Sequence, residues 1–361
     1  MTRLITQIGP LSVKNPVICG AGEQTMTRDA IRAALATGAG AVVAKSTNES
    51  QAAKHQLDKT DYVLLDSSWN RLPWDFSPPP DASLFGRSGL VQRGFAEWLD
   101  DLVKLDLEAR QQDAYVIPSL ILSDLEQCAE YARQIEQAGL RVLELNIGAP
   151  HGEEAAKGAI VLERGAARIE AIVSRIRQAT TLPLWIKLTG QSEDVVGLAQ
   201  AARRGGADSV VMMGRFMGFL PDLETGLPVL GTSAAIGGGW ALPLTARWLM
   251  MTRRAMSDDY PLIATNGARS GLDVARFLLS GACATEMTSA VFTGGYEVLS
   301  RAVRELDEYV VKRGVSVEQL LGSAADQVQT YQQQPDRPEW WKGFAPECPG
   351  LQPETARSGD H

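Results

Sequence analysis

Cysteine is scarce, and Cys19, Cys128, Cys283 and Cys348 stand far apart. Their spacing offers no CxxC metal pair, no iron-sulfur motif and no dense disulfide framework, so they read as reduced thiols and no metal is expected. No uncharged apolar run reaches the roughly 18 to 20 residues of a membrane span, and the opening residues lack a signal peptide's apolar core. A cytoplasmic protein with no membrane partner is the expectation. Basic charge is not in excess either: 43 acidic against 35 basic side chains give a net charge of -8, which opposes the phosphate neutralisation that nucleic-acid binding requires.

What is present is a globular composition, 45% apolar and 22% charged, over 361 residues, enough for one large barrel or two ordinary domains. Short apolar, β-branched runs alternate with longer segments of helical period, the pattern of parallel βα units. Eight such runs can be counted: Val17-Ile18, Ala41-Val43, Tyr115-Pro118, Val142-Asn146, Leu184-Leu188, Ser209-Met213, Leu262-Thr265 and Ala284-Met287. Helical stretches follow near 27–37, 92–110, 123–138, 163–179, 192–204, 241–256, 271–279 and 295–313. Gly38, Gly139, Gly206 and Gly281 each end a helix just before a strand, which suits a left-handed C-terminal cap. Eight units predict an α/β fold closed as a (β/α)8 TIM barrel. The competing doubly wound sheet needs a glycine-rich turn after strand one, and the run from Cys19 to Glu23 does not complete GxGxxG.

The barrel is expected over residues 1–314, interrupted by a loop insertion at 47–91 after strand two, in the position from which barrel loops build or cover an active site. Residues 315–361 read as a short helix and a polar tail whose Trp340 and Trp341 suit docking on the barrel or a neighbouring subunit.

Chemistry in a barrel sits at the C-terminal ends of the strands. Alternation in strand four puts Glu144 and Asn146 on one face, and the same counting directs Lys45 and Lys187 at the barrel mouth or interior. Charges there are costly to desolvate unless they pair with each other or with a ligand, so a structural Lys-Glu pair and a functional site are both open. Asn266-Gly267-Ala268 after strand seven, Thr288-Ser289 after strand eight and a Gly237-Gly238-Gly239 loop after strand six offer free backbone N–H groups where barrels commonly bind phosphate.

These pieces, in this order from about Asn15 to Gly314, resemble the dihydroorotate dehydrogenase family of FMN-dependent barrels, with a similar module in dihydropyrimidine dehydrogenases. The residues that carry the resemblance are Asn15-Pro16, Val43-Ala44-Lys45-Ser46, Leu143-Glu144-Leu145-Asn146, Trp185-Ile186-Lys187-Leu188-Thr189, Asn266-Gly267 and the run from Phe277 to Ala282. The resemblance implies FMN as cofactor, held by Ala21, Gly22, Lys45, Ser46, Asn146, Lys187, Gly238, Gly239, Gly267, Thr288 and Ser289. Lys45 and Lys187 would stabilise the charge that develops on the reduced flavin. Implied partners are a small-molecule substrate, a second copy of the chain in a homodimer and a separate electron acceptor.

The substrate positions depart from the family. Members carry Asn-x-Ser, then Cys or Ser acting as base, then Pro-Asn; here the loop reads Asn146-Ile147-Gly148-Ala149-Pro150-His151-Gly152, and Ala149 accepts no proton. The family's Asn-Thr or Asn-Ser after strand six is replaced by Gly214-Arg215, and its asparagine after strand two aligns with Asp66 or Ser67. His151 is then the first replacement catalytic base, ahead of Glu153 and Glu154, and Arg215 a candidate for a substrate carboxylate. The function expected is an FMN-dependent oxidoreductase exchanging a hydride with a small cyclic amide or heterocycle rather than ordinary orotate synthesis. Two alternatives stand beside it: a non-redox barrel binding a phosphoryl ligand or partner, and a true dihydroorotate dehydrogenase with an unusual base.

Overall fold

The computed structural model describes residues 2–148, 165–256 and 259–346. Eight parallel strands form the barrel: β1 (Val17–Cys19), β2 (Ala41–Val43), β3 (Tyr115–Ile117), β4 (Leu143–Asn146), β5 (Leu184–Lys187), β6 (Ser209–Met212), β7 (Leu262–Thr265) and β8 (Ala284–Met287). Each pairs in parallel with its neighbours, and β8 returns to β1. The ring closes through a divided third strand. Tyr115–Ile117 pairs with β2, whereas its continuation Ser119–Ile121 pairs with β4. Between the halves stands Pro118, which has no N–H to give a ladder but accepts one from Glu144.

A helix follows every strand: α1 (Arg28–Ala36), α2 (Phe95–Arg110), α3 (Leu125–Gln137), α4 (Ala166–Arg177), α5 (Val195–Arg204), α6 (Leu242–Ala255), α7 (Gly271–Leu279) and α8 (Glu297–Arg313). All eight expected units are present. Their starts are fixed by side-chain caps where the sequence supplies them, as Thr27, Asp124, Asp194 and Ser270 each accept a hydrogen bond from the first turn. Gly38, Gly139, Gly206 and Gly281 do take positive φ between helix and strand.

Two apolar layers follow from the period-two alternation of the strands. Leu143, Leu145, Ile186 and Val210 face outward and pack with helix residues such as Ile172, Leu249 and Phe277. Ile18, Val43, Ile117, Val142, Trp185, Val211 and Ile263 form a second cluster inside the barrel. Ile8 and Val13, from an antiparallel hairpin ahead of β1, join that inner cluster.

The insertion is more than a loop. It forms strands Asp61–Leu65, Arg71–Leu72 and Ser83–Arg87, which join Phe216–Gly218 and Ala234–Gly238 in a five-stranded antiparallel sheet. Gly237 and Gly238 therefore belong to a strand, where the sequence suggested a loop; they are paired with Leu84 and Ser83. The reason is a partner far away in the chain, which local glycine content does not reveal.

The chain divides into two compact units, Met1–Asp326 and Gln327–His361. That division falls after the Gly314 boundary expected from sequence, because the turn Val317–Leu320 buries Val317 and Leu320 in the barrel core. Within the second unit, Trp340 lies 6.3 Å from Phe344 and under the guanidinium of Arg337. No described helix is long and apolar enough to cross a membrane.

Phe277, on α7, is fully buried in the outer layer. Its replacement by alanine is expected to lower stability by about 3–5 kcal/mol, read by urea unfolding. A loss below about 1 kcal/mol would contradict this core placement.

Candidate active site

The strands deliver four polar side chains to one end of the barrel. Glu144 lies opposite Trp185 and Ser119 in the sheet, Asn146 opposite Lys187, and Glu286 opposite Thr265. Lys45 follows β2 by two residues. Each of the two lysines is buried and ion-paired. Lys187 Nζ stands 3.0 Å from Glu144 Oε2 and 2.5 Å from Glu286 Oε2, and Ser119 donates to Glu144 Oε1 at 2.8 Å. Lys45 Nζ donates to Glu23 Oε1 at 3.0 Å and to Ser88 Oγ at 2.6 Å, and Ser88 donates in turn to Glu23 at 2.5 Å.

Burial and pairing pull these groups in different directions. For Lys187 burial favours the neutral amine, but Glu144 and Glu286 outweigh it and raise its pKa. For Lys45 burial wins: the pKa falls, with Glu23 offsetting only part and Arg215 adding repulsion. Burial alone would raise Glu23, yet the Lys45 ammonium and the hydrogen bond from Ser88 hold it down to about 2.

Lys45, Ser88, Asn146, Lys187 and Glu286 line a cavity of about 290 Å³, just below the roughly 300 to 1,000 Å³ of cofactor and ligand sites. Ala21, Lys45, Ser46, Asn146, Lys187, Gly267, Thr288 and Ser289 all line it, as does Arg215. Gly238 lines a neighbouring small hollow that shares Gly267 and Ser289 with the main cavity. Gly22 and Gly239 line neither; Gly22 is engaged by Thr25, and Gly239 opens a turn into α6.

Asp66 and Ser67 are not at the cavity. They sit in the turn after Asp61–Leu65, where Asp66 accepts hydrogen bonds from Ser68 and Asn70 and Ser67 is exposed. The parts of the insertion that reach the cavity are Gln56 and Lys59, ahead of its first strand, and the end of its last strand with the residues beyond, Gly86 to Leu90. Antiparallel pairing carries the chain back over the barrel, and a turn residue cannot be told from a lining residue by position after β2. His151, Glu153, Glu154 and Ala149 lie outside the described residues.

Sequence reasoning missed Glu23, Ser88 and Glu286, and took Asn266 only as part of a phosphate-binding turn rather than for its amide side chain. A signal existed for Glu286, since alternation in β8 sets it on the inward face with Ala284. Asn266 also had one, standing at the end of β7 with a left-handed backbone, φ 66°. Its amide nitrogen donates to Gly214 O while its Oδ1 is buried without a donor. Nothing local marks Glu23 or Ser88.

A closed β/α barrel that gathers two buried lysines, amides and small residues around a cavity at its strand ends has the build of a barrel enzyme. Residues 3–310 match the dihydroorotate dehydrogenase family, and the chain belongs to it. It is 25% identical over 324 residues to the dihydroorotate dehydrogenase B (NAD(+)) catalytic subunit of Methanocaldococcus jannaschii, covering 89% of this chain and 98% of that one. The corresponding subunit of Methanosarcina mazei is 27% identical over 321 residues, 88% of this chain and 94% of the other. A dihydroorotate dehydrogenase A (fumarate) of Lactobacillus helveticus is 31% identical over 196 residues, 54% of this chain and 62% of the relative. The chain is an oxidoreductase of the dihydroorotate dehydrogenase type.

The depressed Glu23 pKa carries a stability consequence with a definite sign. A carboxyl lowered from 4.5 to about 2 stabilises the fold fully above pH 4.5 and loses that contribution as pH falls toward 2. The magnitude is roughly 3 kcal/mol. Denaturant unfolding between pH 7 and pH 3 should show Glu23→Gln less sensitive to acid than the parent chain; equal acid sensitivity would refute the pairing.

Proposed function

We propose that the chain is an FMN-dependent oxidoreductase that exchanges a hydride with a small cyclic amide or related heterocycle, and that its substrate differs from dihydroorotate. The observation that carries the cofactor reading is the donor set of the cavity: two buried ammonium groups and the amides of Asn146 and Asn266 beside a stretch of small residues. The orphaned Oδ1 of Asn266 is a buried acceptor in want of a donor, and a flavin ring edge carries N–H groups. At Gly267 a Cβ would stand 2.6 Å from the Leu242 backbone, so glycine is what lets this cavity-lining turn pack against α6.

Bound FMN supplies the hydride acceptor or donor at N5. Lys45, Ser46, Asn146 and Lys187, with Ala21, would hold the ring system. Gly238, Gly267, Thr288 and Ser289 would hold the phosphate. The lysines, each held by carboxylate partners, fix ammonium groups in a site shielded from water, where they act on charge that builds up during reduction.

The substrate side of the site rests on different residues. Hydride transfer from carbon leaves a proton to place, and Ala149 offers no acceptor for it. His151 is the replacement that its loop supplies. Ser88 is a second proton carrier, on the cavity wall, able to pass a proton to or from Lys45, whose ammonium burial weakens. Arg215 has Nη1 buried without a partner and would bind a substrate carboxylate or carbonyl.

The test has two parts. Purified chain titrated with FMN should gain bound-flavin absorbance, and under anaerobic conditions a dihydrouracil-type cyclic amide should bleach it while dihydroorotate does not. Orotate formed from dihydroorotate at a comparable rate would overturn the substrate reading, and failure to take up FMN would overturn the whole proposal.

A further inference from the structure

The floor of the cavity carries unequal charge. Glu144 and Glu286 are both fully buried, and among the described residues the one cation that pairs with either is Lys187. Ionised together, the three groups would leave a net negative charge sealed in the barrel. Two like charges brought to one ammonium in a low dielectric do not both persist; one carboxyl keeps its proton.

The oxygen atoms indicate where that proton goes. Glu144 Oε1 takes the Ser119 hydroxyl, and Glu286 Oε2 takes Lys187. Glu286 Oε1 is buried with no hydrogen-bond donor, and Glu144 Oε2 has no partner beyond the Lys187 ammonium 3.0 Å away. One proton held between the two carboxyls removes the shortage.

We propose that Glu144 and Glu286 share a single proton, so that Lys187 carries one counter-charge rather than two and the floor of the cavity is electrically neutral. Both Lys187 and Glu286 line the cavity, so this balance fixes the field met by whatever occupies it. Its bearing on bound FMN rests on the function proposed above; the shared proton itself does not.

The surroundings agree. Burial and the charge of Glu144 push Glu286 well above the usual carboxylate range. Burial pushes Glu144 the same way, but the charge of Lys187 and the hydrogen bond from Ser119 outweigh it. On β1, Cys19 stands on the outer face, in register with Met287, and stays a neutral thiol, pushed up to about 12 mainly by burial. Thr265, opposite Glu286 on β7, and Thr288, near Gly20 just past β1, do not titrate.

Glu286 and Glu144 are thus positioning residues for Lys187, and counting charges yields a test that a packing role would not pass. Infrared difference spectra of the chain without added flavin, in H2O and D2O at neutral pH, should show the carbonyl band of a buried carboxylic acid. That band should vanish in Glu286→Gln and equally in Glu144→Gln, since the carboxyl that remains then ionises against Lys187. In FMN-loaded protein, neither single variant should shift the two-electron reduction equilibrium as much as tenfold. The double variant, with no counter-charge left, should favour the reduced cofactor by tenfold or more, about 30 mV for a two-electron couple. Absence of the band in the parent chain, its survival in both single variants, or a single variant shifting the potential as far as the double one would overturn the proposal. Should FMN not bind, the function proposed above fails while the infrared result still decides the shared proton.

Discussion

A lysine ammonium inside a barrel of apolar strands is stable only if carboxylates come to it, and the site is organised around that requirement. Desolvating such a charge costs several kcal/mol unless close, hydrogen-bonded partners offset it. Lys187, on β5, draws its partners from β4, its neighbour in the ring, and from β8, three strands away across the barrel. The barrel must close in register for both to reach the same nitrogen. The inner apolar cluster, with Val43, Trp185 and Val211, keeps water from that meeting point. Chain closure and site electrostatics are thereby one constraint: a slip of one residue in any of these strands would turn its charged side chain toward the helices.

The second layer of the site comes from outside the repeat. The antiparallel sheet built by the insertion and by the segment after β6 brings Arg87, Ser88 and Arg215 to the cavity. It is tied to the barrel by Arg269, which donates to the carbonyls of Pro79 and Ala82. Lys45 belongs to both layers. It leaves a barrel strand, pairs with Glu23 from the loop after β1, and donates to Ser88 at the end of a strand of the added sheet. A rigid barrel floor carrying charge and an added sheet carrying protic and cationic groups divide the labour between cofactor and substrate that the proposed function requires.

The barrel was legible in the sequence because its signals are local. Each strand is a short β-branched run, each helix has its own period, and Gly38 or Gly139 marks a helix end with no help from distant residues. The lysines were legible for the same reason, since period-two counting along β5 gives the face of Lys187. Contacts that depend on long-range pairing were not. The strand Ala234–Gly238 looked like a glycine loop because its partner, Ser83–Arg87, lies far away in the chain. Asp66 and Ser67 looked like substrate ligands because they align with the family's asparagine after strand two, and the hairpin places them in a turn away from the cavity instead. Glu286 could have been found: β8 reads Ala284, Thr285, Glu286, Met287, and an acid on an inward position of a barrel strand calls for a buried cation.

The central claim is that the paired lysines, the amides and the small residues of β7 and β8 bound a site for a flavin. A crystal structure of the chain grown with FMN tests it most directly. The account predicts the tricyclic ring in the cavity between Ala21, Asn146 and Lys187, with its phosphate against Gly267 and Ser289. An FMN seated elsewhere, or a cavity that stays empty at saturating FMN, would contradict it.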